Sequence, residues 1–181
     1  MKHASLAAEL EALYLTKGTA RYGLEDISQL AHALQTAALA EAAHETPAMI
    51  LSALLHDVGH FLSKHGENAA DEGIDNAHER IGAGWLRSRL GAEISEPVRL
   101  HVSAKRFLCA TDPAYAGSLA PDSVKSLALQ GGPMRDDEFA AFLDEPHAQA
   151  AIRLRRYDDV AKDPNARTQD FAHFLAFLGK I

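Results

Sequence analysis

The sequence predicts an all-α protein. Apolar residues recur at spacings of three and four along most of the chain, the period of a helix with one buried face. Ala, Leu and Glu dominate, and the alternating β-branched runs that mark strands are almost absent. A hydrophobic fraction of 47% and a charged fraction of 24% are those of an ordinary globular protein with a core to fill.

The elements follow in order. Residues 5–16 form a first amphipathic helix. Residues 17–25, KGTARYGLE, are a Gly-broken loop. Asp26 or Ser28 can cap a second helix that runs to about Glu45. Thr46 caps the third, and Pro47 takes its first turn, where a missing N–H costs little. That helix is expected to reach about Lys64, followed by a polar loop over 65–74. The fourth helix covers about 75–90, with Gly91 as its stop. Ser95-Glu96-Pro97 starts the fifth, which runs to about Ala110, and 111–120 reads as a loop. Pro121-Asp122-Ser123 opens a short helix that ends at Gln130-Gly131-Gly132-Pro133. The remaining helices are expected at about 135–143, 146–162 and 169–178. No repeat, low-complexity tract or linker divides the chain, so residues 1–181 are expected to form one domain.

Charge and cysteine content exclude several classes of function. The formal net charge of −7 argues against nucleic-acid binding, which favours basic faces. Cys109 is the only cysteine, so no intrachain disulfide forms, as expected in a reducing cytoplasm. The start of the chain lacks a signal-peptide pattern. No apolar run approaches the roughly 18 residues of a membrane helix.

One stretch sets the chemistry. In Leu51-Ser-Ala-Leu-Leu-His-Asp-Val-Gly-His60 the apolar residues keep helical spacing, yet His56, Asp57 and His60 lie among them. Polar groups on a core helix are costly unless something satisfies them. An imidazole beside a hard carboxylate suits Fe, Mn and other divalent ions. A lone His-Asp pair is more often a hydrogen-bonded core pair, but more ligand-type residues follow. His32 falls on the second expected helix, His78 on the fourth, His101 on the fifth and Asp158 on a late one. Facing helices of a bundle are where inward side chains build metal centres. The other histidines, His3, His44, His65, His147 and His173, show no comparable placement.

The series resembles the HD-domain superfamily, whose pattern is H…HD…D. His32, His56, Asp57 and Asp158 fit that pattern, and His78 with His101 extends it to H…HD…H…H…D. By that resemblance the site holds two metals bridged by Asp57. His32, His56 and Asp158 complete one, and His78 and His101 hold the second, which keeps open positions for chemistry. His60 stands four residues after His56, and Lys105 four after His101. Residues i and i+4 share a helix face, so both are expected to point into the cavity and make an anion pocket suited to phosphate or phosphonate.

Further strings narrow the match: HVSAKRFL from His101, QGGPM from Gln130, Tyr22-x-x-Glu25 and Arg155-Arg-Tyr-Asp158. Together they are similar to the mixed-valent diiron oxygenases of the superfamily, specifically the 1-hydroxyphosphonate dioxygenases that cleave carbon–phosphorus bonds. The resemblance implies two iron ions, Fe(II)/Fe(III), with O2 as co-substrate. It implies a small hydroxyphosphonate substrate made by a separate hydroxylase: a 1-hydroxy-2-aminoethylphosphonate, free or N-trimethylated, cleaved to phosphate and glycine or glycine betaine. It places His60, Lys105, Ser123 and Gln130 on the phosphonate, with Tyr22 and Glu25 as a lid and amine contact. Tyr22, Phe61, Phe107 and Tyr115 are the aromatic residues weighed as partners for a trimethylammonium. The competing reading is a metal-dependent HD phosphohydrolase acting on a phosphate ester or nucleotide. It needs only H…HD…D, and would want stacking aromatics that a 7% aromatic content supplies poorly. A non-catalytic module is disfavoured because no ligand position is lost.

Overall fold

The computed structural model describes residues 2–23, 25–63 and 76–181. Among them are eleven α-helices and a closing 3-10 segment, with a single isolated β-bridge between Arg21 and Ser28. The expected end of the third helix at Lys64, the loop 65–74 and the expected fourth-helix start at Asp75 lie outside the described residues.

Helix α1 (Lys2–Lys17) presents Leu6, Leu10 and Tyr14 to the core. Helix α2 (Gln29–Ala42) is capped by Ser28, not Asp26, whose hydroxyl accepts from the Ala31 N–H at 3.1 Å. It ends short of Glu45, and His44 just beyond it takes a left-handed φ of 57°. Helix α3 (Pro47–Leu55) starts as expected, with Thr46 accepting from Met49 N at 3.2 Å. Every residue from Met49 to Leu55 is buried. A helix apolar all round is a central one, and α3 packs against α2, α6, α10 and the C-terminal elements.

The structure breaks the expected third helix in two. Asp57 has φ −96° and ψ 7°, and the chain restarts as α4 (Val58–Leu62). That conformation lies in the sparse bridge region where many active-site residues sit. Asp57 occupies the N-cap position of α4 yet makes no side-chain cap bond, although Asp is among the best caps. Its carboxylate is turned elsewhere. Gly59 permits the next packing step: a Cβ there would stand 1.9 Å from the carbonyl oxygen of His78.

Helix α5 (His78–Leu90) stops at Gly91, whose φ of +85° is open to glycine. The same Gly91 caps α6 (Ala92–Thr111), so α6 begins before the expected Ser95 and holds Pro97 inside. A proline so near the N-terminus removes one ladder bond and is tolerated. The expected loop 111–120 contains α7 (Pro113–Ser118), with the Asp112 carboxylate accepting from Tyr115 N at 3.1 Å. Helices α8 (Pro121–Leu129), α9 (Asp136–Leu143) and α10 (Ala148–Val160) follow close to expectation. Asp170 caps α11 (Phe171–Leu175), and Ala176–Lys180 tightens into the 3-10 segment.

The main core gathers α1, α2, α3 and the Phe171, Phe174 and Phe177 side chains around Leu51, Leu54 and Leu55. A smaller cluster joins Leu100 and Ala104 of α6 to Met134, Phe142, Ala148 and Ala151. Between them runs a polar interior, bounded by α2, the α3–α4 break, α5, α6 and α10.

Candidate metal centre

Five elements contribute to that interior. His32 comes from the middle of α2, His56 and Asp57 from the α3–α4 break, His78 from the first residue of α5, His101 from α6 and Asp158 from α10. All six are buried. Ligand-type atoms of His32, His56 and Asp57 lie within 4.8 Å of one another, and so do those of Asp57, His78 and His101.

Asp57 divides its two oxygens between these groups. Oδ2 lies 3.6 Å from His32 Nε2 and 3.3 Å from His56 Nε2. Oδ1 lies 3.5 Å from His78 Nε2. Asp158 joins the first group, with Oδ1 at 3.3 Å from His32 Nε2 and 3.9 Å from His56 Nε2.

The imidazoles are oriented for metal binding by what their other nitrogens do. His32 Nδ1 donates to Ala161 O at 2.9 Å, His56 Nδ1 to Ala53 O at 2.9 Å and His101 Nδ1 to Val98 O at 2.7 Å. A carbonyl accepts only, so each of these Nδ1 atoms carries the proton. The Ala53 carbonyl is one that the C-terminus of α3 leaves without a helical partner, so His56 closes the helix and aims its ring together. His78 Nδ1 faces Asn76 Oδ1 at 3.1 Å. The four Nε2 atoms then carry lone pairs, and they face each other in twos: 3.2 Å for His32 and His56, 3.1 Å for His78 and His101. Lone pairs repel at that distance unless a cation lies between them. Two nitrogens on one metal at roughly a right angle stand ~3 Å apart. The donor set therefore fits a pair of metal ions bridged by Asp57, with tied second nitrogens of the kind that tune metal ligands.

The electrostatics agree. Burial opposes ionisation of Asp57 and Asp158, but His56 beside Asp57 and Arg155 beside Asp158 hold both carboxyls well below their usual range. Burial also pushes His78 and His101 below the ordinary imidazole range, towards the neutral form that a ligand needs. His56 goes the other way: burial would lower it, but Asp57 and Asp158 carry it up to about 9.

The expected substrate residues divide. His60 does face the site, although the helix that was to align it with His56 is broken. Its ring stacks on His78 with centroids 4.1 Å apart, and its Nε2 lies 3.8 Å from Asp57 Oδ1. Lys105 is 2% exposed, so its stem runs inward as the helical register predicts, and its ammonium donates to Ser126 Oγ at 2.8 Å. Ser123 Oγ accepts from Arg155 Nη2 at 3.3 Å. Gln130 is the C-cap of α8, and its buried amide oxygen accepts no hydrogen bond among the described residues. Tyr22 lies on the first group itself: its ring stacks on His32 at 3.8 Å and its hydroxyl donates to Asp158 Oδ1 at 3.4 Å. The turn beneath it packs tightly, since Gly23 has φ +53° and a Cβ there would meet Asp122 Oδ2 at 2.1 Å. Glu25 is not brought in: its carboxylate makes no hydrogen bond or ion pair with the cluster among the described residues.

Three contributors were missed in the sequence. Arg155 was noticed only as part of a string, although i,i+3 spacing to Asp158 pointed to it. It ties Asp158 Oδ2 at 2.7 Å, Asp159 Oδ2 at 2.9 Å and the Tyr115 hydroxyl at 3.2 Å. Ser126, one turn after Ser123, positions Lys105. Asn76 was hidden because the fourth helix was expected to begin before it. The other aromatic candidates are engaged with other partners. Phe61 meets Tyr14 edge-on in the core, Phe107 packs with Phe139 and Phe142, and the Tyr115 hydroxyl binds Asp159.

The helical architecture and the H…HD…D series define an HD-domain protein, and residues 30–125 match that family. The chain is 38% identical over 165 residues to the [1-hydroxy-2-(trimethylamino)ethyl]phosphonate dioxygenase (glycine-betaine-forming) of Leisingera caerulea, covering 91% of this chain and 84% of the relative. It is 42% identical over 151 residues to the hydroxymethylphosphonate dioxygenase of Gimesia maris, covering 83% and 75%. An uncharacterized protein of Acanthamoeba polyphaga mimivirus is 33% identical over 153 residues. The chain thus belongs to the HD-domain hydroxyphosphonate dioxygenases. No helix among the described residues is long and apolar enough to cross a membrane.

Proposed function

We propose that the chain, acting as one domain, is an iron- and O2-dependent enzyme that cleaves the C–P bond of a small 1-hydroxyphosphonate. Phosphate and a carboxylate are its products. The observation that carries this reading is the division of Asp57 between two pairs of imidazoles whose Nδ1 atoms are all tied away from the centre. That arrangement suits two metals, one more than the H…HD…D core of a phosphohydrolase needs. His32, His56 and Asp158 would hold the first metal, and His78 and His101 the second, with Asp57 shared.

The substrates named for the two dioxygenase relatives have the hydroxyl and phosphonate on C1 in common and differ beyond it. The buried donors of this chain match the common part. Lys105 with Ser126, Arg155 with Ser123, and His60 present ammonium, guanidinium, hydroxyl and imidazole groups around one interior. A dianionic phosphonate there gains charge-assisted hydrogen bonds in a low dielectric. Arg155 holds Asp158 while Tyr22 covers the His32 ring and keeps water from that face. Gln130 is assigned to the phosphonate, and Glu25 to an amine where the substrate carries one. A mixed-valent iron pair, when bound, supplies the activation of O2 and the oxidation of C1. The chain's own part is to position and enclose. A separate hydroxylating enzyme would supply the substrate, and a cytoplasmic setting fits the lone cysteine.

The experiment is single-turnover phosphate release. Iron-loaded protein mixed anaerobically with hydroxymethylphosphonate should hold its phosphate until O2 is admitted, then release it stoichiometrically. Release that does not depend on O2 would favour hydrolysis and defeat the proposal.

A further inference from the structure

Two stacked imidazoles, His60 and His78, share one side-chain amide. Asn76 Nδ2 lies 3.1 Å from His60 Nδ1, and Asn76 Oδ1 lies 3.1 Å from His78 Nδ1. The rings are nearly parallel, at 16°. The orientation of the amide is fixed from outside the pair. The backbone N–H of His78 points at the same Asn76 atom at 3.3 Å. A backbone N–H only donates, so that atom must be the carbonyl oxygen, and the NH2 must face His60.

The protons on both rings follow. His78 Nδ1 meets an acceptor and therefore carries a proton, which leaves Nε2 bare towards His101 and Asp57. His60 Nδ1 meets a donor and is therefore bare, which puts its proton on Nε2, on the side of Asp57 Oδ1. One amide has two unlike ends, so it imposes opposite states on two like rings. The backbone is bent to place it: Ala77, between Asn76 and His78, has a left-handed φ of 48°. That conformation is uncommon for a residue with a Cβ.

We propose that Asn76 is a positioning residue that makes His60 a hydrogen-bond donor to the substrate phosphonate and His78 a bare-nitrogen ligand for the second metal. Both halves rest on the function proposed above, the His60 half through its substrate and the His78 half through its second metal. Had the amide faced the other way, His78 would present an N–H to the metal and could not bind it.

The test uses the full-length chain loaded with zinc, which is diamagnetic, and 15N NMR of the imidazoles. In wild type, His60 Nδ1 should show a lone-pair shift and His78 Nδ1 a protonated one. Asn76→Asp replaces an amide by a group that only accepts. It should keep the second metal, move the His60 proton to Nδ1 and weaken binding of hydroxymethylphosphonate at least tenfold. Asn76→Ala should lose both functions, with second-metal affinity down roughly ten- to a hundredfold. The distinguishing result is therefore a split: Asp rescues the metal and not the phosphonate. A wild-type His60 protonated at Nδ1 would overturn the proposal, as would an Asp variant that rescues both functions or neither. Wild-type protein with the assigned tautomers but no affinity for hydroxymethylphosphonate would overturn the substrate reading and leave the metal half standing.

Discussion

Arg155 Nη1 sits 2.7 Å from Asp158 Oδ2, and that contact decides which oxygen of Asp158 faces the imidazoles. Oδ1 is left towards His32 and His56. The same guanidinium holds Asp159 and Ser123, a set that a planar fork serves and a point charge does not. Arg155→Lys should therefore cost roughly ten- to a hundredfold in affinity for the first metal, and leave the second in place. Chelator competition on the variant reads this directly. An unchanged competition curve would show that Asp158 needs no such anchor.

Asp57 serves both groups, so Asp57→Ala should lose both metals. His78→Ala and His101→Ala should each lose only the second. Metal content per chain separates the three. Two metals retained in the Asp57 variant would make its carboxylate a supporting group. Asp57→Asn is a weaker test, since an amide oxygen can still coordinate.

Gly59→Ala should disturb the second metal without touching any ligand side chain. The new Cβ would stand 1.9 Å from the His78 carbonyl and 2.9 Å from Gly82 N, both backbone atoms that cannot turn aside. The N-terminus of α5 must move, and His78 is its first residue. Overpacking of this kind costs about 1–3 kcal/mol. A melting curve and metal content on one preparation check it. Full stability with two metals bound would mean that α4 and α5 part more easily than their packing implies.

Lys105 should carry phosphonate affinity and its pH dependence. Burial, with Arg155 adding to it, pushes the ammonium down from 10.5 to about 7. The charged form binds the phosphonate, and it is lost as pH rises through about 7, so KM should climb above neutrality. Lys105→Ala should keep its metals, lose that climb and raise KM roughly ten- to a hundredfold at low pH, the value of one charge-assisted contact. Lys105→Arg should also flatten the profile, because a guanidinium stays charged, but should recover little affinity. Steady-state kinetics from pH 6 to 9 decide it, and a flat wild-type profile would count against the assignment.

Substrate choice should follow the aromatic map. A trimethylammonium prefers aromatic faces. Phe61, Phe107 and Tyr115 are engaged elsewhere, and one face of Tyr22 is covered by His32. The chain should therefore show a higher kcat/KM on hydroxymethylphosphonate or the free-amine substrate than on the trimethylated one. Phosphate release from the three side by side settles the order.

Most of the helices were legible because their caps are chemical. Ser28 and Thr46 each accept the N–H three residues on. The buried cluster was legible because histidines spaced over separate helices point to a shared interior. The break at Asp57 was not, since apolar spacing continues through it and its carboxylate turns to the imidazoles instead of capping α4. Asp112-Pro113 is a cap signal that a polar context concealed. Arg155, Ser126 and Asn76 are each tied to other side chains, and such partnerships depend on distances that spacing alone does not reveal.

The chain order of the two groups has a consequence for biosynthesis. Asp57, His78 and His101 all precede the end of α6. The first group closes only through α10, and His32 Nδ1 waits for a carbonyl 129 residues further on. A nascent chain emerges at about 5–20 residues per second, so Asp158 and the Ala161 carbonyl join the other clustered residues seconds after them. The first group is therefore finished from the C-terminal side, and α10 closes the interior last.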